Sequence, residues 1–365
     1  MIESAPRISP MTLDEIARLS GVSRSTVSRV INDSPGVRQE TRQRVLQIIQ
    51  QMNYQPNVLA RSLAGGRTRV LSLVIPEGVT RLFSDPYFPI LIQGVSLACN
   101  AQDYSVMLWL ADPDYKRRTI SRIIQDKLSD GTIIASMLND DPLVEALIED
   151  GSPFILIGRN PNHENISYVD VDNQNGTHMA IAHLLHLGYR RIATITGPQN
   201  MIAGLDRLEG YLQTLRQWNL AVDPDLIIEG DFSEDGGYTA MRRLVPCQPE
   251  AVFIASDQMA IGALRALREY ELRVPQDIAV IGFDDIPMAA RTDPPLTTVR
   301  QPIQKTGQTA AETLIDMIEY PSNEPRRLIL PTELVIRESC GSGIKVLQPL
   351  NLRPENFFPV KQSGR

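Results

Sequence analysis

The sequence predicts a small all-α headpiece followed by an α/β body of two doubly wound lobes. Three observations predict it. Between residues 12 and 53 apolar side chains recur at three- and four-residue spacing, as on one face of a helix. From Val70 onward, short β-rich runs alternate with amphipathic helical stretches, the pattern of parallel sheets covered by helices. That alternation lasts for about 270 residues, more than one doubly wound sheet uses, so two lobes are required.

The headpiece reads as three short helices. Thr12-Leu13-Asp14-Glu15 has the form of a capping box, and Leu13, Ile16 and Ala17 give the first helix one apolar face. Gly21 ends it, and Ser23 is placed to cap the second helix, whose buried stripe is Val27, Val30 and Ile31. Arg24, Ser25, Ser28 and Arg29 must then point outward. Asn32 to Gly36 combines turn formers with a helix breaker and reads as a loop. A third helix over 39–52 offers Val45, Ile48, Ile49 and Met52 to the same core.

Pro56 closes the unit, and Asn57 to Leu63 is helix-compatible up to Gly65-Gly66. Seven or eight residues do not hold a helix alone in water, because nucleation is costly. An external partner must stabilise the piece, or it is a plain linker. In the body the predicted strands are Val70–Ile75, Ser105–Leu110, Gly131–Ala135, Phe154–Ile157, Arg191–Thr196, Leu226–Glu229, Ala251–Ile254 and Ile278–Gly282. Helical stretches between them include 90–102, 173–187, 205–218, 258–270 and 303–319. The expected division is a disordered tail over 1–11, a headpiece over 12–56, a hinge helix and linker over 57–69, a body over 70–340 and a disordered tail over 341–365. The first lobe is expected from about 70–170 and 301–331, the second from about 171–300 and 332–340.

Charge is more informative by segment than in total. Residues 1–69 hold ten Arg and no Lys against five acids, a balance of +5; with a net charge of −7 for the whole chain, −12 remains for the rest. A basic head on an acidic body suits one end that approaches a polyanion. The three cysteines, Cys99, Cys247 and Cys340, are far apart and form no CxxC pair, which argues against a disulfide scaffold and fits a reducing cytoplasm. No apolar run is long enough to span a membrane, and Met1 to Met11 lacks a secretory signal's apolar stretch.

The stretch from Thr12 to Asn32, with its Val-Ser-x-x-Thr-Val-Ser-x-Val-x-Asn string, closely resembles the headpiece of the LacI/GalR family of bacterial repressors. The similarity continues in order through Asn53-Tyr54-Gln55-Pro56-Asn57, Ala60-Arg61-Ser62-Leu63, Gly197-Pro198, Arg207-Leu208-Glu209-Gly210-Tyr211, Ser256-Asp257-Gln258-Met259-Ala260, Gly282-Phe283-Asp284-Asp285 and Pro295-Leu296-Thr297-Thr298-Val299. The resemblance implies a helix-turn-helix headpiece on a two-lobed, periplasmic-binding-protein-like ligand domain of Rossmann-like topology. It also implies a cytoplasmic, nucleoid-associated, sequence-specific repressor, homodimeric on palindromic operator DNA and controlled by a small ligand between the lobes.

A helix-turn-helix presents the exposed residues of its second helix to base edges in the major groove. Here those are Arg24, Ser25 and Arg29, and Arg29 is suited to a bidentate pair with guanine. Thr26 and Ser28 suit phosphates, which position the helix without reading sequence, while Ser23 serves the cap first. Asn32 and Tyr54 are carried over from the family pattern as further DNA contacts. The family's hinge helices pair in the minor groove and wedge a leucine between base pairs; Leu63 matches that leucine, with Ala60 and Arg61 beside it.

In the body the resemblance assigns Arg207 and Asp284 to a clamp for vicinal hydroxyls, one donating and one accepting. The same two residues also read as a structural ion pair across the cleft. Phe232 falls where the family keeps an aromatic wall; Tyr87 and Phe88 fall on the first-lobe side, and Asp257, Arg159 and then Asn173 follow as weaker candidates. Purine-responsive members carry a cation and a Thr after Gly-Pro, where this chain has Met201 and Ala203, so a sugar is expected ahead of a purine.

Two rival classes remain. His178, His183 and His186 share one helix, but no HExxH, Cys pair or carboxylate cluster accompanies them, and no phosphate-binding glycine loop or nucleophile elbow is present. Neither an enzyme nor a bound metal or cofactor is expected. A solute-binding protein of the same body fold has no use for a basic headpiece.

Overall fold

The computed structural model describes residues 12–31, 35–52, 54, 67–76, 78–110, 116–135, 138–163, 165–322 and 324–343, the side chains of 116–119 excepted. The chain divides into two compact units between Arg69 and Val70.

The first unit contains α1 (Leu13–Ser20), α2 (Arg24–Ile31) and α3 (Gln39–Gln51). The capping box closes in both directions: the Glu15 N–H donates to Thr12 Oγ1 at 3.3 Å, and the Thr12 N–H to the Glu15 carboxylate at 2.8 Å. Gly21 stops α1 at φ 64, its N–H returning to the Ala17 and Arg18 carbonyls. Ser23 Oγ accepts from the Thr26 N–H at 3.2 Å and so caps α2. Replacing it by Ala is expected to cost about 1 kcal/mol of headpiece stability, read as faster amide exchange over 24–31.

Ile16, Ala17, Val27, Val30 and Val45 form the small core, with Leu13, Ile31, Ile48, Ile49 and Tyr54 packed around it. Met52 does not join them. The helix ends at Gln51, Met52 turns off its face at φ −92 and ψ 2, and the side chain is 42% exposed. The predicted hinge helix with Ala60, Arg61 and Leu63, together with Asn32, the N-terminal tail and residues 344–365, lies outside the described residues.

The second unit carries two six-stranded sheets. In chain order its elements are β1 (Val70–Ile75), α4 (Val79–Ser84), α5 (Tyr87–Ala101), β2 (Ser105–Leu110), α6 (Lys116–Gln125), β3 (Gly131–Ala135), α7 (Pro142–Asp150), β4 (Phe154–Ile157), β5 (Tyr168–Val171) and α8 (Asn173–His186). There follow β6 (Ile192–Thr196), α9 (Ile202–Gln217), β7 (Ile227–Glu229), α10 (Glu234–Leu244), β8 (Ala251–Ile254), α11 (Asp257–Glu269) and β9 (Ala279–Asp284). The last are β10 (Thr297–Arg300), α12 (Ile303–Glu319), β11 (Arg327–Leu330) and β12 (Glu333–Val335). The first sheet runs β11–β5–β4–β3–β1–β2, all parallel; the second runs β12–β10–β9–β8–β6–β7, with β12 antiparallel.

All eight strands expected from apolar runs form, three with ends shifted by one or two residues. The shift at β9 makes Asp284 its last residue. Four further strands, β5, β10, β11 and β12, have only three or four residues and intersperse Asp, Thr, Arg or Glu, so they lack such a run.

Alternation along each strand feeds two different cores. In β1, Leu71, Leu73 and Ile75 face α5 and α12, while Val74 meets Ile134, Leu156 and the apolar face of α7. In β8 of the second lobe, Val252 and Ile254 pack toward α10 and α11, and Ala251 and Phe253 toward α8 and α9. A buried polar residue is tolerated where it is paired: Ser72 Oγ in β1 donates to Ser129 and accepts from Trp109 Nε1 at 2.9 Å. Helices α5 and α12 touch backbone to backbone because Gly94 faces Gln304; a Cβ there would lie 1.9 Å from the Gln304 carbonyl oxygen. Gly94→Ala is expected to destabilise the body by about 1–3 kcal/mol, measured as a lowered melting temperature.

The chain crosses between lobes three times, from β5 to α8, β10 to α12 and β11 to β12. The first and third crossings are tied together, the Asp172 N–H donating to the Leu330 carbonyl at 2.9 Å and Thr332 Oγ1 to the Asp172 carbonyl at 3.2 Å. Among the described residues no helix is long and apolar enough to cross a membrane.

Candidate functional site: a helix-turn-helix surface and an inter-lobe cleft

On α2 the outward residues expected to meet DNA form one polar face. Ser23, Arg24, Ser25 and Arg29 are exposed, and Thr26 and Ser28 half-buried. Ser23 Oγ lies 2.8 Å from both Ser25 Oγ and Thr26 Oγ1, so the three hydroxyls hold one another at the start of the helix. Arg24 sits 3.5 Å from Asp14 across α1 and α2, an exposed pair of little net worth that can exchange for a stronger partner. Tyr54 differs from these. Its ring is half-buried against the headpiece core, which a residue after α3 reaches only by folding back.

The cleft between the lobes lies at the carboxyl ends of the strands of both sheets, the position doubly wound sheets offer a ligand. One chamber in it takes in about 820 Å³ of space, open mouth included. The second lobe supplies Asp284 from the end of β9, Arg207 from α9, and Phe232; the first supplies Tyr87 and Phe88 from α5 and Arg159 after β4. The crossings supply Asn173 and Gln301.

Arg207 is held through two of its nitrogens and one face. Its Nε donates to Asn173 Oδ1 at 2.9 Å and its Nη1 to the Ala255 carbonyl, while its plane stands 3.7 Å from the centre of the Phe283 ring. Asp284 Oδ1 lies 3.6 Å from Nη1 and accepts from Gln301 Nε2 at 2.5 Å. The ion pair thus forms within one lobe, from α9 to β9, and not across the cleft, because the strand end carries Asp284 over the first turns of α9. Burial pushes the Asp284 carboxyl above its ordinary range, with Arg207 opposing and Asp85 adding to the rise. Burial likewise lowers Arg207, with Asp284 opposing.

The link across the cleft is Arg159. It lies 3.0 Å from Asp170 at the end of β5 and 2.6 Å from Asp206 on α9 of the other lobe. Burial alone would lower its pKa, but Asp206 and Asp170 together raise it. Arg81 makes a second link, its Nη2 donating to the Asp231 carbonyl at 2.7 Å.

Phe232 adopts φ 65, a strained conformation for an aromatic residue. The turn that imposes it is fastened locally: Asp231 Oδ1 accepts from the Ser233 N–H at 2.8 Å, and Ser233 Oγ caps α10 by accepting from Gly236. The ring lies against Gly197, where a Cβ would stand 2.1 Å from it, which is why the Gly197-Pro198 pair begins with glycine. Gly197→Ala is expected to push the wall inward and weaken ligand binding by about 1 kcal/mol, roughly fivefold by titration calorimetry.

Asp257 does not line the chamber. It is fully buried at the start of α11, accepting from Thr298 Oγ1 at 2.6 Å and from the Ile286 N–H at 3.0 Å. Both oxygens are engaged, so it braces β10 and the loop just after Asp284 from behind; burial and the Asp284 charge push its pKa well up. Asp170, Asp206 and Gln301 were not singled out by the sequence. Asp170 and Gln301 adjoin strands too short to give an apolar run, and Asp206 had only its place beside Arg207 as a signal.

The three helical histidines take separate partners: His178 with Thr214 Oγ1, His183 with Cys340 Sγ, and His186 with the Ala182 carbonyl and the edge of Trp218. Among the described residues no three metal-ligating side chains gather.

Residues 12–57 match the model of the bacterial regulatory proteins, lacI family, and residues 181–340 that of the periplasmic binding protein-like domain. The chain is 40% identical over 332 residues to the HTH-type transcriptional regulator CelR of Thermobifida fusca, covering 90% of this chain and 98% of that one. A transcriptional regulator CelR–cellobiose complex superposes with a TM-score of 0.73 at 40% identity, covering 90% of this chain and 99% of that one. The lac repressor dimer bound to operator and the anti-inducer ONPF gives 0.78 at 27% identity, covering 91% and 99%. A recognition-helix surface, a two-lobed body and relatives matched nearly end to end agree: the chain belongs to the LacI family of bacterial transcriptional regulators.

Proposed function

We propose that this regulator is a sugar-responsive repressor that binds palindromic operator DNA as a homodimer and is switched by a small carbohydrate in the cleft. The observation that carries the ligand class is the charge balance of the described chamber lining: Arg81, Arg159 and Arg207 face Asp85, Asp170 and Asp284. Such a lining has paired donors and acceptors for neutral hydroxyls and no surplus of positive charge for a phosphate. The Phe232 ring adds a surface for the apolar face of a pyranose. A CelR relative has been solved with cellobiose, which supports the same class.

On the DNA side, Arg24, Ser25 and Arg29 read bases and Thr26 and Ser28 hold phosphates, while Leu63, with Ala60 and Arg61, enters the minor groove. Twofold protein symmetry matches palindromic half-sites, and the lac repressor structure above is a dimer on its operator. We take 12–56 as the DNA-binding headpiece, 57–69 as the hinge and 70–340 as the effector domain, acting at the chromosome.

Gel retardation on palindromic operators, combined with thermal shift against sugars and nucleobases, tests the proposal. Salt-dependent retardation and a melting point raised by a sugar are expected. A nucleobase that stabilises where no sugar does would overturn the ligand class, and indifference to every palindrome at low salt would overturn the regulator.

A further inference from the structure

Asp284, the last residue of β9, and Asp285 after it stand at φ 120 and φ 57, both in the left-handed half of backbone space. Neither is glycine, and such strain persists only where the surroundings over-determine it. Asp257 fastens one side of this turn through the Ile286 N–H. Asp285 fastens the other. Its side chain is 7% exposed, and both oxygens are taken, Oδ2 by Arg300 Nε and Oδ1 by Arg337 Nη2, each at 2.6 Å.

Neither arginine ends there. Arg300 Nη1 donates on to Glu333 at 2.6 Å, and Arg337 Nη1 to the Leu296 carbonyl at 2.7 Å. Arg300 is the last residue of β10 and Glu333 the first of β12, where the second crossing leaves the second lobe and the third enters it. None of Asp285, Arg300, Glu333 and Arg337 lines the effector chamber.

We propose that Asp285 is a positioning residue for effector recognition: through its two arginines it fixes the backbone that aims the Asp284 carboxylate at a ligand hydroxyl. The inference rests on the reading of Asp284 as an effector group and goes further by assigning a role to a residue outside the chamber. Charge-assisted bonds to both oxygens hold the Asp285 carboxylate at two points, so it does not rotate without breaking one of them. A hydrogen bond weakens steeply with angle, so a rotation at residue 284 lowers affinity without removing any group from the site. The same crossing also holds Asp284 directly, because Gln301, next after Arg300, donates to Asp284 Oδ1 at 2.5 Å. Since Arg300 and Glu333 stand on two crossings, a shift of either as the lobes move reaches Asp284 through Asp285.

The test is titration calorimetry of the full chain against cellobiose, glucose, galactose and ribose. Asp285→Asn keeps the size of the side chain and a residue type at home at φ 57, but its amide nitrogen cannot accept from an arginine. Whichever of these sugars binds the parent chain is expected to bind Asp285→Asn about tenfold more weakly, with operator retardation in the absence of sugar unchanged. A merely structural residue adds its loss to that of any other. Beside Asp284→Asn, however, Asp285→Asn is expected to cost only about twofold or less, since it acts through the group already removed. Arg300→Gln, at a side chain 48% exposed, is expected to fold even where Asp285→Asn does not, and to weaken binding about threefold. Parental affinity in both single variants, or the full tenfold loss retained beside Asp284→Asn, overturns the proposal. If none of the four sugars binds the parent chain, it is the sugar reading that fails, and amide exchange without ligand then decides the rest. Faster exchange of the Ile286 N–H in Asp285→Asn supports the hold on the turn, and unchanged exchange overturns it.

Discussion

Asp284→Asn uncouples operator binding from effector: the variant retards operator DNA normally, and no sugar changes that retardation. Asn is the informative substitution because it keeps the size and shape of the side chain at a residue held at φ 120, where a change of volume would add strain. A carboxylate accepting from two ligand hydroxyls makes charge-assisted bonds worth about 1.5–3 kcal/mol each, so the amide is expected to weaken binding by roughly 100-fold or more. Calorimetry reads the affinity, and retardation with and without sugar reads the coupling. The unliganded melting temperature separates this from a folding defect. Burial disfavours the charge on Asp284, but removing it leaves the buried Arg207 without its counter-charge, so a loss of about 3 kcal/mol of unliganded stability is expected and is to be subtracted from the effect on ligand. Arg207 keeps Asn173 and the Ala255 carbonyl as partners. An unchanged affinity for sugar in a variant of lowered melting temperature would mean that Asp284 holds the second lobe together and does not hold the ligand.

Arg29→Ala carries the second large effect. The guanidinium is exposed on the polar face of α2, opposite Val27 and Val30, and needs no rearrangement of the core to reach a base. A bidentate pair to guanine is worth about 1–3 kcal/mol of discrimination, so specific operator affinity is expected to fall by roughly 5- to 150-fold. Binding to unrelated DNA should fall far less, because that is a matter of phosphates and salt. Retardation on operator and on scrambled DNA at two salt concentrations distinguishes the outcomes. An equal loss on both sequences would make Arg29 a phosphate contact and hand base reading to Arg24 or Ser25. Thermal stability should be unchanged, since an exposed arginine with no buried partner contributes little to folding.

Legibility differed between the two regions for physical reasons. On the headpiece, local spacing was sufficient. A helix with apolar residues at 27, 30 and 31 must bury that side, which leaves Arg24, Ser25 and Arg29 on the other, and Thr12, Gly21 and Ser23 mark the helix ends through bonds to residues three or four away. Met52 misled because the period continues in the sequence one residue past the point where the helix stops.

The cleft was only half legible. Arg207, Phe232 and Asp284 stand in strings distinctive enough to be placed by likeness to a family, and all three line the chamber. Asp257 stands in an equally distinctive string and does not, since Thr298 and Ile286, 41 and 29 residues away, take both of its oxygens.

By itself, then, the sequence determined the three headpiece helices and the eight apolar strands of the body, which helix face of the headpiece meets the solvent, and that two sheets follow it. These are consequences of side-chain periodicity and of caps a few residues long. Only the tertiary structure decided that Arg159 bridges the lobes through Asp170 and Asp206 and that Arg207 and Asp284 pair within one lobe. Whether a buried charge faces a ligand or a neighbour depends on partners brought close by chain crossings, and a distance along the chain does not encode a distance in space.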